Sequence, residues 1–103
     1  MQTFELALRR FQEGNLQEAG ALCQALIGQD PRHADALHLL ALMKFQIGDY
    51  LQSEGLFQRA VDLRPHSPSL LTHYGLLLQA LQRSDEAVET FKKALANNSD
   101  FVS

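Results

Sequence analysis

Residues 34–65, ADALHLLALMKFQIGDYLQSEGLFQRAVDLRP, decide the fold because the segments on either side of them are variations on the same pattern. Residues of one type recur every 34 positions: Leu8 with Leu42 and Leu76, Phe11 with Phe45, Gly14 with Gly48, Pro31 with Pro65, Phe57 with Phe91, and Ala60 with Ala94. A fixed period of this length indicates a stack of similar supersecondary units. We therefore expect a single domain over residues 1–103, divided into units 1–33, 34–67 and 68–101 with a tail to 103.

Each unit is expected to contain two helices joined by a tight turn. In residues 2–13 apolar side chains recur at intervals of three and four, as on one face of a helix, and Gly14 ends that pattern. Asn15 and Glu18 follow with the spacing of a capping box, which predicts the start of a second helix. The middle unit repeats this order, with Gly48 at the turn and Asp49 as the N-cap.

The third unit departs from the pattern at its turn, where Gln82-Arg83-Ser84 replaces the glycine. We predict a first helix from Pro68 to Leu81, with Ser67 as its N-cap, and we predict Ser84 as the N-cap of the second helix. The inward face of that second helix is expected to consist of Ala87, Val88, Phe91, Ala94 and Leu95.

Small residues are expected where neighbouring helices approach closely. Ala7, Ala41 and Gly75 are 34 positions apart and lie where a large side chain would separate two helices. A second set of small residues, again at equal spacing, falls in the second helices: Ala19, Ser53 and Ala87. Cys23 occupies the position of Phe57 and Phe91, which predicts a buried apolar residue and not a reactive thiol.

The composition excludes several classes of function. The chain is 46% hydrophobic and 20% charged, with a net charge of −3. Segments 1–33, 34–67 and 68–103 each carry three Lys or Arg and four Asp or Glu, so no basic stripe exists and nucleic acid is not an expected ligand. No apolar stretch has the length of a signal peptide or a membrane span. We expect no membrane insertion and a cytoplasmic location.

These positions resemble the tetratricopeptide repeat (TPR) family over essentially the whole chain. The resemblance rests on Leu6-Ala7, Gly14, Ala19 and Pro31 in the first unit, on Leu37, Leu40-Ala41, Gly48-Asp49-Tyr50, Phe57, Ala60 and Pro65 in the second, and on Leu71, Tyr74-Gly75, Ala87, Phe91 and Ala94 in the third. Departures are Lys44 for the frequent tyrosine, Ser53 for the usual alanine, and the missing turn glycine and closing proline of the third unit. The resemblance implies an all-α solenoid, a right-handed superhelix of three helix-turn-helix units and about six helices. Its first helices would line a concave groove for peptides or partner helices.

The residues expected to face that groove form a stripe along the three first helices: Phe4, Leu8, Phe11, His38, Leu42, Phe45, Thr72, Leu76 and Gln79. An exposed apolar stripe of this kind usually marks an interaction site, but the same residues could instead be part of the core. The matching positions lack the lysines, arginine and asparagines of the family's chaperone-binding clamp. We therefore expect an apolar helix, or another copy of the chain, as the ligand.

Other functions stay open. Residues 30–50, DPRHADALHLLALMKFQIGDY, look like the amino-terminal TPR repeats of bacterial proteins with glycosyltransferase or sulfotransferase domains. If so, the chain is a substrate-docking or targeting segment of a larger transferase. A third alternative is a homo-oligomer, because the last helix is expected to expose part of Val88, Phe91 and Leu95.

Catalytic chemistry is not expected. The sequence has no Gly-rich phosphate loop, no CxxC, no HExxH and no nucleophile elbow, so we predict no enzyme activity and no cofactor. His38 and His73 are 35 positions apart, which would let their rings approach each other across adjacent first helices near Asp35. That arrangement suggests a metal site, although we predict none. His33 and His66 fall in turns and are expected to be solvated or to cap helices.

Overall fold

The computed structural model describes residues 3–97, which form six helices. They are α1 (Phe4–Gln12), α2 (Leu16–Gln29), α3 (Ala34–Gln46), α4 (Tyr50–Leu63), α5 (Pro68–Ala80) and α6 (Ser84–Asn97). Helices pair as α1 with α2, α3 with α4 and α5 with α6, while α3 and α5 each also pack on the preceding pair. Residues 3–97 contain no strand. The predicted all-α stack of helix pairs is therefore confirmed, and the predicted tail lies outside the described residues.

Side-chain caps begin most of the helices. Asn15, Asp49 and Ser67 cap α2, α4 and α5 as predicted, each accepting a hydrogen bond from the backbone N–H three residues ahead. Pro68 occupies the first turn of α5, where its missing N–H removes no helical hydrogen bond. His33 caps α3, because its Nδ1 accepts a hydrogen bond from the N–H of Ala36 at 3.1 Å.

The turn before α6 differs from the prediction. Ser84 is not the N-cap but the first residue of α6, and the carbonyl of the preceding residue, Arg83, accepts the first helical hydrogen bond. Gln82 adopts φ +64°, matching the left-handed turns at Gly14 (φ +84°) and Gly48 (φ +85°). The backbone thus repeats the same turn without glycine, and the cap position is Arg83, 34 residues after Asp49.

Two clusters of buried side chains form the core. The first joins α1, α2 and α3 and consists of Ala7, Ala19, Leu22, Cys23, Leu39, Leu40 and Met43. The second joins α3, α4 and α5 and consists of Leu37, Ala41, Phe57, Ala60, Leu70 and Leu77. Burial of these apolar side chains in the spaces between helices is what holds the units together.

The small residues lie at the helix contacts, as predicted. Ala7, Ala41 and Gly75 are buried at the centres of the first helices. Ser53 takes the place of Ala19 in the second unit, and its buried hydroxyl donates a hydrogen bond to the carbonyl of Ala41 at 2.8 Å. The serine therefore links α3 and α4 without an unpaired buried polar group.

The last helix is only partly covered. Ala87 and Ala94 are buried, whereas Val88 is 50% and Leu95 is 70% exposed. The prediction that Val88 and Leu95 face inward is therefore wrong. The prediction that the last helix exposes part of both side chains is confirmed. Phe91 is half-buried because its ring lies against Gly75 of α5.

Candidate binding groove

The predicted groove residues, called the inner stripe below, lie on the three first helices. Phe4, Leu8 and Phe11 lie on α1; His38, Leu42 and Phe45 on α3; Thr72, Leu76 and Gln79 on α5. The six residues of α1 and α3 are half-buried, whereas the three of α5 are exposed, with Leu76 at 42%. The inner stripe is therefore partly buried on α1 and α3 and exposed to solvent on α5.

The half-buried residues of the inner stripe pack against the core. Phe4, Leu8 and Phe11 pack against the first cluster, and Leu42 and Phe45 pack against the second. The Phe45 ring meets the Tyr50 ring edge-on at a centroid distance of 5.6 Å. These contacts fix the apolar side chains in place, so their remaining exposed surface is presented by a rigid support.

One polar contact crosses the inner stripe. The Nε2 of His38 on α3 lies 2.7 Å from the Nδ1 of His73 on α5, and the ring centroids are 4.9 Å apart. The Phe57 ring packs beside His38 at 6.1 Å. Both imidazoles are half-buried. At this distance one of the two facing nitrogens donates a hydrogen bond and the other accepts it, which links the second and third units.

Burial keeps this pair neutral. Desolvation lowers the pKa of His38 to about 4, with a smaller lowering by His73 and Arg64 that Asp35 opposes. Desolvation also lowers the pKa of His73. The carboxylate of Asp35 accepts a hydrogen bond from Arg64 at 2.9 Å, with both side chains about half exposed. Such an exposed ion pair contributes little to stability.

The structure shows one surface feature that the sequence did not predict. A depression of about 310 Å³ lies between α2 and α4 with α3 as its floor, and it adjoins a depression of about 380 Å³ between α2 and α3. Both depressions are lined by Gln24, Leu40 and Lys44. Gly20 lines the larger depression and Gly55 the smaller, and a Cβ atom added at either glycine would have no other atom within 4 Å. The only sequence signal for this depression was the pair of glycines inside otherwise good helices.

The corresponding space between α4 and α6 is bridged. The Arg83 guanidinium pairs with Glu54 of α4 and with Glu86 of α6, and these hydrogen bonds, first to Glu86 and then to Glu54, raise the Arg83 pKa. The Gln58 amide of α4 contacts the Tyr74 hydroxyl of α5 at 3.4 Å. A depression of about 360 Å³ remains beside these links, lined by Tyr74, Leu78, Glu89 and Lys93, which lie 34 residues after Leu40, Lys44, Gly55 and Arg59.

The one cysteine of the chain is shielded from solvent. Cys23 is fully buried, and desolvation raises the pKa of its thiol to about 11, so the thiolate that reacts is scarce at neutral pH. Within residues 3–97, no group of three or more His, Cys, Asp or Glu side chains could hold a metal ion. None of the helices in this range combines the length and apolar character needed to cross a bilayer.

Solved structures share this architecture. MamA superposes with a TM-score of 0.84 at 24% identity, over 98% of this chain and 61% of that chain. A mutant of the Thermobaculum terrenum O-GlcNAc transferase gives 0.90 at 26% identity, over 95% of this chain and 19% of that chain. The Yersinia enterocolitica type III secretion translocator chaperone SycD, in an alternative dimer, gives 0.83 at 21% identity, over 95% of this chain and 76% of that chain.

These similarities confirm the two predicted resemblances, to TPR proteins and to the repeat region of a glycosyltransferase. The chain is about three fifths as long as MamA and a fifth as long as the transferase. A family match extends over residues 12–94, which is most of the sequence. The chain therefore belongs to the family described as anaphase-promoting complex, cyclosome, subunit 3, and is a protein of tetratricopeptide repeat type.

Proposed function

We propose that this chain is a non-enzymatic scaffold that binds a partner peptide or helix along the inner stripe. In this proposal residues 1–33, 34–67 and 68–101 act as three units of one domain. The observation that carries it is a row of three leucines, Leu8, Leu42 and Leu76, at equal spacing on successive first helices. None of the three is fully buried, although fully buried leucines such as Leu37 and Leu77 already fill the core between the same helices.

The chemistry of the inner stripe favours an apolar and uncharged ligand surface. None of its nine residues is Asp, Glu, Lys or Arg. The nearest ion pair, Asp35 with Arg64, is satisfied internally. An amphipathic helix whose apolar residues recur every three or four positions could lay that face along the row of leucines. Contact would remove apolar surface from water, which is the main source of affinity in such grooves.

The test compares two exposed leucines. Leu76 lies in the inner stripe, whereas Leu51, 84% exposed on α4, does not. Helical peptides are selected from a display library on the wild-type chain, and their affinities are then measured for the Leu76→Asp and Leu51→Asp variants. We expect Leu76→Asp to weaken binding by at least tenfold, because the carboxylate must be desolvated under an apolar ligand, and we expect Leu51→Asp to leave binding unchanged.

Circular dichroism establishes that both variants remain helical. Peptides that bind Leu76→Asp as tightly as the wild type, or that lose affinity only for Leu51→Asp, would place the binding surface outside the inner stripe. The Leu42→Asp and Phe45→Asp variants extend the test along α3, where both residues are half-buried and each variant must first be shown to fold.

A second candidate function is docking within a larger transferase. It is supported by the similarity to the O-GlcNAc transferase, which has the highest TM-score among the structures compared above. The test is an immunoblot of the source cells with antibodies against this chain. A species far larger than 11.5 kDa favours the transferase assignment, and a species of that mass contradicts it.

Self-association is the third candidate, supported by the exposure of Val88 and Leu95 on α6. Light scattering over a wide concentration range measures it directly. A dimer that dissociates in the Leu95→Glu variant supports this candidate, whereas a monomer at all concentrations eliminates it. The cytoplasmic location stays a prediction.

A further inference from the structure

We infer that His38 and His73 form a two-histidine site for a divalent transition-metal ion of the zinc and copper class, open toward the groove. Two ring nitrogens from different helices already point at each other at 2.7 Å. Imidazole nitrogen is the ligand that zinc, copper and nickel prefer, whereas magnesium and calcium prefer oxygen. The inference concerns this pair alone and does not depend on the partner proposed for the inner stripe.

The geometry needs only a small adjustment to accept a metal ion. Two zinc–nitrogen bonds of about 2.0–2.1 Å that meet at a tetrahedral angle place the nitrogens about 3.3 Å apart. The His38 Nε2 and His73 Nδ1 atoms would therefore separate by about 0.6 Å from their present 2.7 Å. Rotation of two half-buried rings provides this movement without moving a helix.

Metal binding requires the hydrogen between the two rings to move to another ring nitrogen. In the neutral pair, one facing nitrogen carries a hydrogen and the other accepts it. Metal binding requires both facing nitrogens to be free, so one ring must move its hydrogen to its other nitrogen. No hydrogen bond to residues 3–97 is formed by the other two nitrogens, and no buried side-chain nitrogen lacks a partner, so both reach solvent. Because each ring keeps one hydrogen, no net proton is released.

The pair is held by the core and not by flexible segments. His38 and His73 lie on α3 and α5, which share the second cluster through Leu37, Leu70 and Leu77. The Phe57 ring beside His38 excludes water from one side. Two ligands held on packed helices lose little conformational freedom on binding, which favours affinity.

The remaining coordination positions would be filled by water or by an oxygen of a bound molecule. Asp35 lies one helical turn before His38, but its carboxylate is occupied by Arg64 at 2.9 Å. Among the described residues, therefore, no third protein ligand joins the pair. We expect an exchangeable ion, bound more weakly than in structural sites with four protein ligands.

The experiment uses chain without a histidine tag, titrated with Zn²⁺ by calorimetry in a buffer that does not chelate metals. The variants are His73→Gln, which removes one ligand, and His66→Gln, which changes an exposed histidine in the loop before α5. We expect one Zn²⁺ per wild-type chain, at least tenfold weaker binding to His73→Gln and unchanged binding to His66→Gln. Mg²⁺ is expected not to bind.

Nitrogen NMR of the wild-type imidazoles gives an answer that needs no variant. Zn²⁺ should shift the Nε2 signal of His38 and the Nδ1 signal of His73, and leave the His66 signals in place. Unchanged affinity in a folded His73→Gln variant would overturn the inference. Zinc-induced shifts confined to His33 or His66, or the absence of saturable binding, would do the same.

Discussion

Substitution of Gly75 by alanine tests whether close contact between helices, and not helix propensity, is the reason that glycine is needed at this position. An added Cβ would lie 2.5 Å from the Cε1 of Phe91 and 2.8 Å from its Cδ1 and Cζ. Real Cβ atoms do not approach that closely, so the ring must move. The matched control is Gly55→Ala, since Gly55 also lies inside a helix but has nothing within 4 Å of its missing side chain.

The magnitude follows from two opposing effects. Replacing glycine by alanine inside a helix stabilises it by about 1 kcal/mol, and this gain is common to both variants. Overpacking at Gly75 costs about 1–3 kcal/mol. The Phe91 ring also borders a depression of about 310 Å³ beside Pro68 and Leu95, into which it can move, so we expect the lower half of that range. Gly55→Ala should therefore exceed Gly75→Ala in stability by about 1–2 kcal/mol.

Urea unfolding followed by circular dichroism measures this difference, and thermal unfolding should show it as about 4–16 °C for a domain of this size. A Phe91→Leu substitution in the Gly75→Ala background removes the ring and should recover part of the loss, giving a non-zero coupling energy in the double-mutant cycle. If Gly75→Ala stabilises the chain as much as Gly55→Ala does, the argument from close packing is refuted.

Three further predictions concern a turn, a thiol and a histidine. Gln82→Gly should stabilise the chain by about 1 kcal/mol in thermal unfolding, because Gln82 holds a left-handed φ of +64° that glycine adopts without strain; no gain, or a loss, would contradict this. Cys23 should not react with a thiol reagent at pH 8 until urea unfolds the chain, because it is buried with a pKa of about 11; rapid labelling of the folded chain would show that the site opens. In EDTA, stability should fall by about 1–2 kcal/mol as the pH is lowered from 6.5 toward 4, because the unfolded chain protonates His38 first. Urea unfolding at several pH values measures this slope, and a His38→Gln variant with the same slope would exclude His38 as its source.

Local chemistry made much of the fold predictable. The spacing of apolar residues located the helices, and Asn15, Asp49 and Ser67 marked three of their starts. These signals act within four residues along the chain, so they can be recognised without knowledge of the tertiary structure. The prediction failed at Ser84, because a serine in the sequence resembles a cap whether or not the preceding turn places it there. The left-handed Gln82 keeps that turn in register with Gly14 and Gly48, so the cap position falls on Arg83, one residue before Ser84.

The inner stripe was harder to predict, because exposure depends on how far neighbouring helices overlap. Leu42 and Leu76 occupy equivalent positions in the repeat, yet the first is half-buried and the second 42% exposed. The approach of His38 to His73 was predictable from their spacing of 35 residues, since one repeat plus one residue keeps both on the inner face. The depression between α2 and α4 was not, because a space between helices leaves almost no mark on either one.

The two junctions of the stack differ in their mechanical properties. Outer helices α4 and α6 are linked through Arg83, which holds Glu54 and Glu86 at once, whereas no salt bridge among residues 3–97 joins α2 to α4; a depression lies at both junctions. Each unit of a solenoid contacts only its neighbours, so the stiffness of the whole stack depends on the contacts at each junction between units. In this chain the ion pairs of Arg83 restrain the second and third units against each other, whereas within residues 3–97 no ion pair resists bending between the first and second units.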